Sequence, residues 1–115
     1  MLPKRERPER NSASALAGVF AALGDDTRLR LVSRLCDEGP MSIKRLSTGS
    51  DMTRQAITKH LRVMEGAGLI RNKRKGRESC WELDRRRLRQ IRRYLAAISR
   101  QWDEALGRLR KFVEE

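Results

Sequence analysis

Histidine and cysteine are almost missing from this chain. Its 115 residues hold one histidine, His60, and two cysteines, Cys36 and Cys80. One histidine cannot build a zinc site without several thiolate or carboxylate partners, so neither a metal nor a cofactor is expected. Two cysteines far apart in sequence are too few for a disulfide scaffold and fit a cytoplasmic setting better. Their default role is that of a small buried hydrophobe, with Cys36 expected on the apolar side of its helix. No apolar run reaches the roughly 18 residues that a membrane span needs. The N-terminus is charged but has no apolar h-region, so it does not read as a secretory signal. Also absent are a nucleophile elbow, a Walker-type phosphate loop and an HExxH pair. The one acid pair, Asp25-Asp26, is explained by helix capping, and no enzyme is expected.

Acidic residues are scarce beside basic ones, 15 against 27, for a formal charge of +12 and a pI near 11.1. Such a balance favours a polyanionic partner, although a basic surface can also simply be soluble. The excess is spread over the chain, with ten basic and four acidic residues in 85–115. The length is that of one small domain. Residues 1–13, MLPKRERPERNSA, are charged, contain two prolines and have almost no apolar side chains; they read as a disordered basic arm.

The remainder, 14–115, patterns as one domain, mainly α with a small β-hairpin (α+β). Leu16, Val19, Phe20 and Leu23 form an apolar stripe on a first helix, about 15–23. Asp25 caps a second helix, with Leu29, Leu31, Val32 and Leu35 as its buried positions, and Gly39-Pro40 stops it. Met41 reads as a brief strand edge. Ser42 caps a short third helix carrying Ile43 and Leu46, and 47–51 is a polar turn.

The segment MTRQAITKHLRVMEGAGLIRNKRKGRESCWE, 52–82, is the most informative. Thr53 caps a helix whose Ile57, Leu61 and Met64 share one face. Arg54, Gln55, Thr58, Lys59 and Arg62 are thereby turned outward. Gly66 and Gly68 end the helix. Leu69–Lys73 and Glu78–Leu83 read as strands turned at Lys75-Gly76-Arg77. A polar helix followed by a basic hairpin is how a winged helix-turn-helix grips DNA. Arg54, Gln55, Thr58 and Lys59 are the candidates for base readout. Thr53, His60, Arg62, Arg71, Lys73, Arg74, Lys75 and Arg77 are candidates for phosphate or minor-groove contacts, with Gly76 supplying backbone freedom at the tip; His60 reads equally as a helix-packing residue. Lys44 and Arg45 could touch phosphate too.

Asp84 caps a last helix, about 85–114. Its apolar positions Leu88, Ile91, Leu95, Ile98, Trp102, Ala105, Leu109 and Phe112 alternate spacings of three and four, a heptad pattern, and Leu106 and Val113 widen the stripe. Such a stripe is too apolar for a solvated helix. A two-fold pairing would bury it together with Leu16, Val19, Phe20 and Leu23.

This order of elements resembles the ArsR family of bacterial winged-helix repressors. FAALGDDTRLRLVSRL (20–35), TRQAITKHLRVMEGAGLI (53–70) and KGRESCWEL (75–83) are similar to its second helix, its recognition helix and its wing; Asp26 stands where proline is common, and Gly49-Ser50 replace residues that are often apolar or charged. The resemblance covers about 15–115 and implies a dimer built on the first and last helices. The third helix lacks the paired cysteines, and the last helix the Asp/His sets, of metal-responsive members. RQWDEALGRLRKFVEE, with Trp102, is similar to a metal-independent branch. The sequence therefore predicts a cytoplasmic, nucleoid-associated homodimeric repressor on a palindromic operator in double-stranded DNA, with no membrane partner and its effector unknown. The alternatives are a thiol- or metal-responsive sensor of the same fold, or a non-specific nucleoid-type DNA-binding or adaptor protein.

Overall fold

The computed structural model describes residues 14–114; the expected arm, 1–13, lies outside them. Helix α1 spans 14–23 and turns at Gly24, whose N–H bonds the Ala21 carbonyl. Helix α2 is Asp26–Glu38, and the Asp25 carboxylate accepts the Arg28 N–H at 3.0 Å. That satisfies a donor the first turn would otherwise leave orphaned. Gly39, at φ +83°, closes α2 with its N–H on the Leu35 carbonyl, a conformation that favours glycine. Strand β1, Met41–Ser42, runs into α3, Ile43–Ser47, capped by Ser42. After a polar turn, Thr53 caps α4, Arg54–Gly66. Strands β2, Ile70–Lys75, and β3, Glu78–Leu83, lead to the 30-residue helix α5, Arg85–Glu114.

The hairpin extends into a three-stranded antiparallel sheet in the order β1-β3-β2. Met41 lies opposite Trp81, and Arg71 opposite Glu82. The brief edge at Met41 is thus the strand that anchors the hairpin to the helices. β2 starts one residue later than expected and runs two further, because Arg74 and Lys75 pair with Ser79 and Glu78. The turn is correspondingly tight at Gly76, φ +67°.

One cluster forms the core. Val19 and Ala22 of α1, Leu31 and Leu35 of α2, Leu46 of α3 and Ile57, Leu61 and Met64 of α4 meet Met41, Leu69, Ile70 and Trp81. Each fully buried aliphatic side chain contributes about 1.5–3 kcal/mol. Leu88 and Ile91 pack their partly buried side chains on this cluster, which seats the first turns of α5. At 1.5 Å per residue, α5 is about 45 Å long, and none of its residues is fully buried.

Three expectations need correction. Leu29 is 48% exposed: two positions before Leu31, it lies roughly 200° around the helix from it. Cys36 is exposed rather than apolar-facing, since the step from Leu35 rotates it about 100° out of the core; Cys80 is only partly buried. In α1, Leu16 and Val19, expected at a subunit contact, are buried within the chain itself. Val19 joins the core cluster, Leu23 packs on it partly buried, and Phe20 is the residue of that stripe left exposed.

Candidate nucleic-acid interface

The rotation of α4 is set by Ile57, Leu61 and Met64, each at most 1% exposed. With that face sunk, Arg54, Gln55 and Lys59 are solvent-exposed along the opposite surface. Thr53 uses its hydroxyl to accept the Ala56 N–H at 3.0 Å. Thr58 is half-buried and donates its hydroxyl to the Arg54 carbonyl at 2.8 Å, which leaves its methyl and the acceptor lone pairs of its oxygen to offer.

His60 points elsewhere. Its Nδ1 lies 3.3 Å from Arg28 Nη1 and 3.9 Å from Asp25 Oδ2. Accepting a hydrogen bond from the guanidinium requires Nδ1 to be the ring's unprotonated nitrogen. Arg28 also donates from Nε to the Ala22 carbonyl, so one arginine ties the end of α1, the start of α2 and the recognition helix together. Asp25 is held below the ordinary aspartate range, first by the backbone N–H bond from Arg28, against some desolvation, and then by the charge of Arg28 and, when its ring is protonated, that of His60. His60 thus has the helix-packing role that its position in the sequence allowed.

Arg62 is also engaged. Its Nη1 donates to Glu65 at 2.8 Å, and its guanidinium stacks 5.2 Å from the Trp81 ring centre. This contact braces α4 against the wing. At the wing's base, Arg71 donates to Glu82 at 2.9 Å and Lys73 lies 3.9 Å from the same oxygen. Arg74 and Arg77, nearer the tip, are exposed, and among the described residues no ion pair holds them. Gly76 makes the turn; the side chain of Lys75 is outside the described set. The wing therefore divides into a base where one carboxylate holds two cations and a tip whose arginines are free of such a partner among the described residues. In α3, Lys44 is exposed, whereas Arg45 pairs with Glu38 at 3.1 Å.

Other residues that set this geometry were not anticipated. Arg34 donates to the Leu46 and Arg45 carbonyls at 3.0 and 3.4 Å, tying α2 to the exposed end of α3. Gly68, φ +78°, lies under the Arg87 guanidinium; a Cβ there would stand 2.7 Å from Nη2. Glycine suits that position for its positive φ, and a side chain there would displace the flexible end of Arg87. No local pattern signals either contact, because both partners are distant in sequence.

Residues 23–72, from the end of α1 into β2, match the helix-turn-helix domain family. Over 65 residues the chain is 45% identical to the uncharacterized HTH-type transcriptional regulator YuzN of Bacillus subtilis, covering 51% of this chain and 71% of that protein. It is 33% identical over 88 residues to the HTH-type transcriptional regulator Rv2034 of Mycobacterium tuberculosis, 76% of this chain and 78% of that one. It superposes on an ArsR-like transcriptional regulator from Rhodococcus sp. RHA1 with a TM-score of 0.78 and 32% identity, over 89% of this chain and 95% of the other.

The chain belongs to the ArsR family of winged helix-turn-helix transcriptional regulators. In ArsR-family terms α3 and α4 are the helix-turn-helix, α4 is the recognition helix, and β2–β3 is the wing. The protein is a DNA-binding transcriptional regulator. Among the described residues of this ArsR-family chain, no group of three or more His, Cys, Asp or Glu side chains is placed to hold a metal ion. None of the described helices is long and apolar enough to cross a membrane.

Proposed function

We propose that this ArsR-family regulator is a homodimeric repressor that works without a metal ion and reads a palindromic operator. The observation that carries the reading is the outer face of α5. Leu95, Ile98, Trp102, Leu106 and Leu109 are 41–63% exposed along one stripe. Phe20 joins it from α1, its ring 6.0 Å from that of Tyr94. A contiguous apolar face of this kind marks an interaction site, and a second copy offers a self-complementary one. Charge favours an antiparallel pairing of the two α5 helices about Ile98. Arg92 and Arg93 of one copy then approach Asp103 and Glu104 of the other, whereas a parallel pairing sets like against like.

Each protomer would lay α4 in a major groove. Arg54 and Lys59 suit guanine edges, Gln55 an adenine edge, and Thr58 a thymine methyl or a base hydrogen bond. Arg74, Lys75 and Arg77 of the wing would grip flanking phosphates or the minor groove, with half-sites about one helical turn apart or a multiple of it. Bound there, the dimer would block polymerase, acting at the nucleoid in the cytoplasm. Metal independence is supported by an α3 without cysteine and an α5 without histidine.

Sedimentation of the wild type and of a Leu95→Glu, Trp102→Glu variant at micromolar concentration tests the assembly. The wild type should run as a dimer and the variant as a folded monomer with little operator affinity. A monomeric wild type would sink the palindromic operator as well. One observation favours a second reading, a thiol-responsive regulator: Cys36 is exposed. A thiol oxidant that changes operator affinity in the wild type but not in Cys36→Ser would support it.

A further inference from the structure

A groove of about 650 Å³ runs between the C-terminal end of α2, the base of the wing and the first turn of α5. Leu35, Leu83 and Leu88 give it an apolar floor, and Arg85, Arg86 and Arg89 line its α5 side. It also holds two carboxylates, Glu82 and Asp84, and both are occupied. Glu82 takes Arg71 at 2.9 Å and Lys73 at 3.9 Å. Asp84 Oδ1 accepts the backbone N–H groups of Arg86 and Arg87 at 2.9 and 3.2 Å, capping α5. Among the described residues no ion pair or side-chain hydrogen bond engages the guanidiniums of Arg85, Arg86 or Arg89. Three like charges thus share one rim, at the positive end of a 30-residue helix.

We propose that this groove binds an amphipathic organic carboxylate that acts as the effector of the regulator. Guanidinium forks match a carboxylate in bidentate geometry, and the leucine floor takes an apolar body that an inorganic anion lacks. The volume lies within the roughly 300–1,000 Å³ of small-molecule sites. One wall is the start of α5 and the other is the foot of β3, joined along the chain by Leu83-Asp84-Arg85 and through the core by Leu88 and Ile91. A ligand held between them biases the angle between the helix carrying the apolar face and the wing carrying Arg74 and Arg77. The effector role rests on the proposed repressor reading; the binding step does not.

The test uses the full chain without DNA and two probes that share one aromatic body, 1-naphthoate and the neutral 1-naphthalenemethanol, in titration calorimetry. The carboxylate should bind once per chain at sub-millimolar concentration, the alcohol at least tenfold more weakly. Arg85→Gln, Arg89→Gln should weaken the carboxylate at least tenfold, and Arg85→Lys, Arg89→Lys less so, with helix content and sedimentation unchanged. Equal binding of both probes, no binding of either, or indifference to the Gln substitutions overturns the site. So does a Gln variant that loses random-sequence DNA in proportion, because the arginines would then be DNA contacts. Operator affinity measured with saturating 1-naphthoate should shift at least tenfold; no shift overturns the effector role. Probe binding in a chain that binds no operator would overturn the repressor reading instead.

Discussion

Helices α4 and α5 carry apolar stripes of nearly the same spacing and meet opposite fates. In α4, Ile57, Leu61 and Met64 are sealed by α2, α3 and the sheet. In α5, Leu88 and Ile91 reach the core, and from Leu95 onward the stripe lies open. The difference is one of geometry. A three-turn helix fits within the span of a small domain, while a 45 Å helix outruns it. An amphipathic pattern therefore states that a face must be covered, and the rest of the chain decides whether it can be covered from within.

The strongest break of this comparison is truncation at equivalent positions. Leu61→Ala should cost about 2–5 kcal/mol in urea unfolding, and by the same amount at every protein concentration. Leu109→Ala should leave the dilute protein's midpoint almost unchanged and reduce only the concentration-dependent part. If both variants respond alike to dilution, the two stripes are not different in kind.

The outer surface of α4 can be set against the wing in the same way. Arg54→Ala or Gln55→Ala should cost about 1–3 kcal/mol on the operator and relax preference at one base pair. Arg77→Ala should weaken all sequences alike and flatten the salt dependence by about one unit. Competition binding with operator and random duplexes at several salt concentrations separates these outcomes. Equal loss on both duplexes for the α4 variants would remove that helix from base reading.

A smaller effect is expected where α4 meets the wing. Arg62→Ala removes the stack on Trp81 and the Glu65 pair, both solvent-accessible, and should cost about 0.5–1 kcal/mol of stability. A change in Trp81 fluorescence should accompany it; an unchanged spectrum would mean the stack is not populated.

The smallest concerns pH. Asp25 has its proton affinity lowered in the folded chain. Its contribution is therefore complete above the ordinary aspartate range and fades as pH falls through the depressed folded value. The stability difference between wild type and Asp25→Ala should shrink on acidification and be flat from neutral pH upward. A difference that grows towards acid would reverse the sign and refute the assignment.

Much of the fold was legible before any contact was known, and for local reasons. The caps Asp25, Ser42, Thr53 and Asp84 act within three residues of themselves. Gly76 needs only its own turn. The apolar face of α4 follows from spacing. The exposure of Arg54, Gln55 and Lys59, proposed for base reading, was legible as polar positions opposite that face. The wing set was legible less completely, because which cations remain available depends on a cross-strand register: Arg71 is drawn to Glu82 eleven residues away.

By itself, the sequence determined the order and type of elements, the apolar faces of α4 and α5 and the cationic character of the surface. These depend on backbone propensity, capping and periodicity, which act over a few residues. Only the tertiary structure decided that β1 joins the hairpin and that Leu29 and Cys36 face out. It also turned Leu16 and Val19 inward, set Arg62 on Trp81, and tied His60 to Arg28 across 32 positions. Those outcomes turn on which surfaces meet, and the burial of one face sets the exposure of its neighbours 100° at a time.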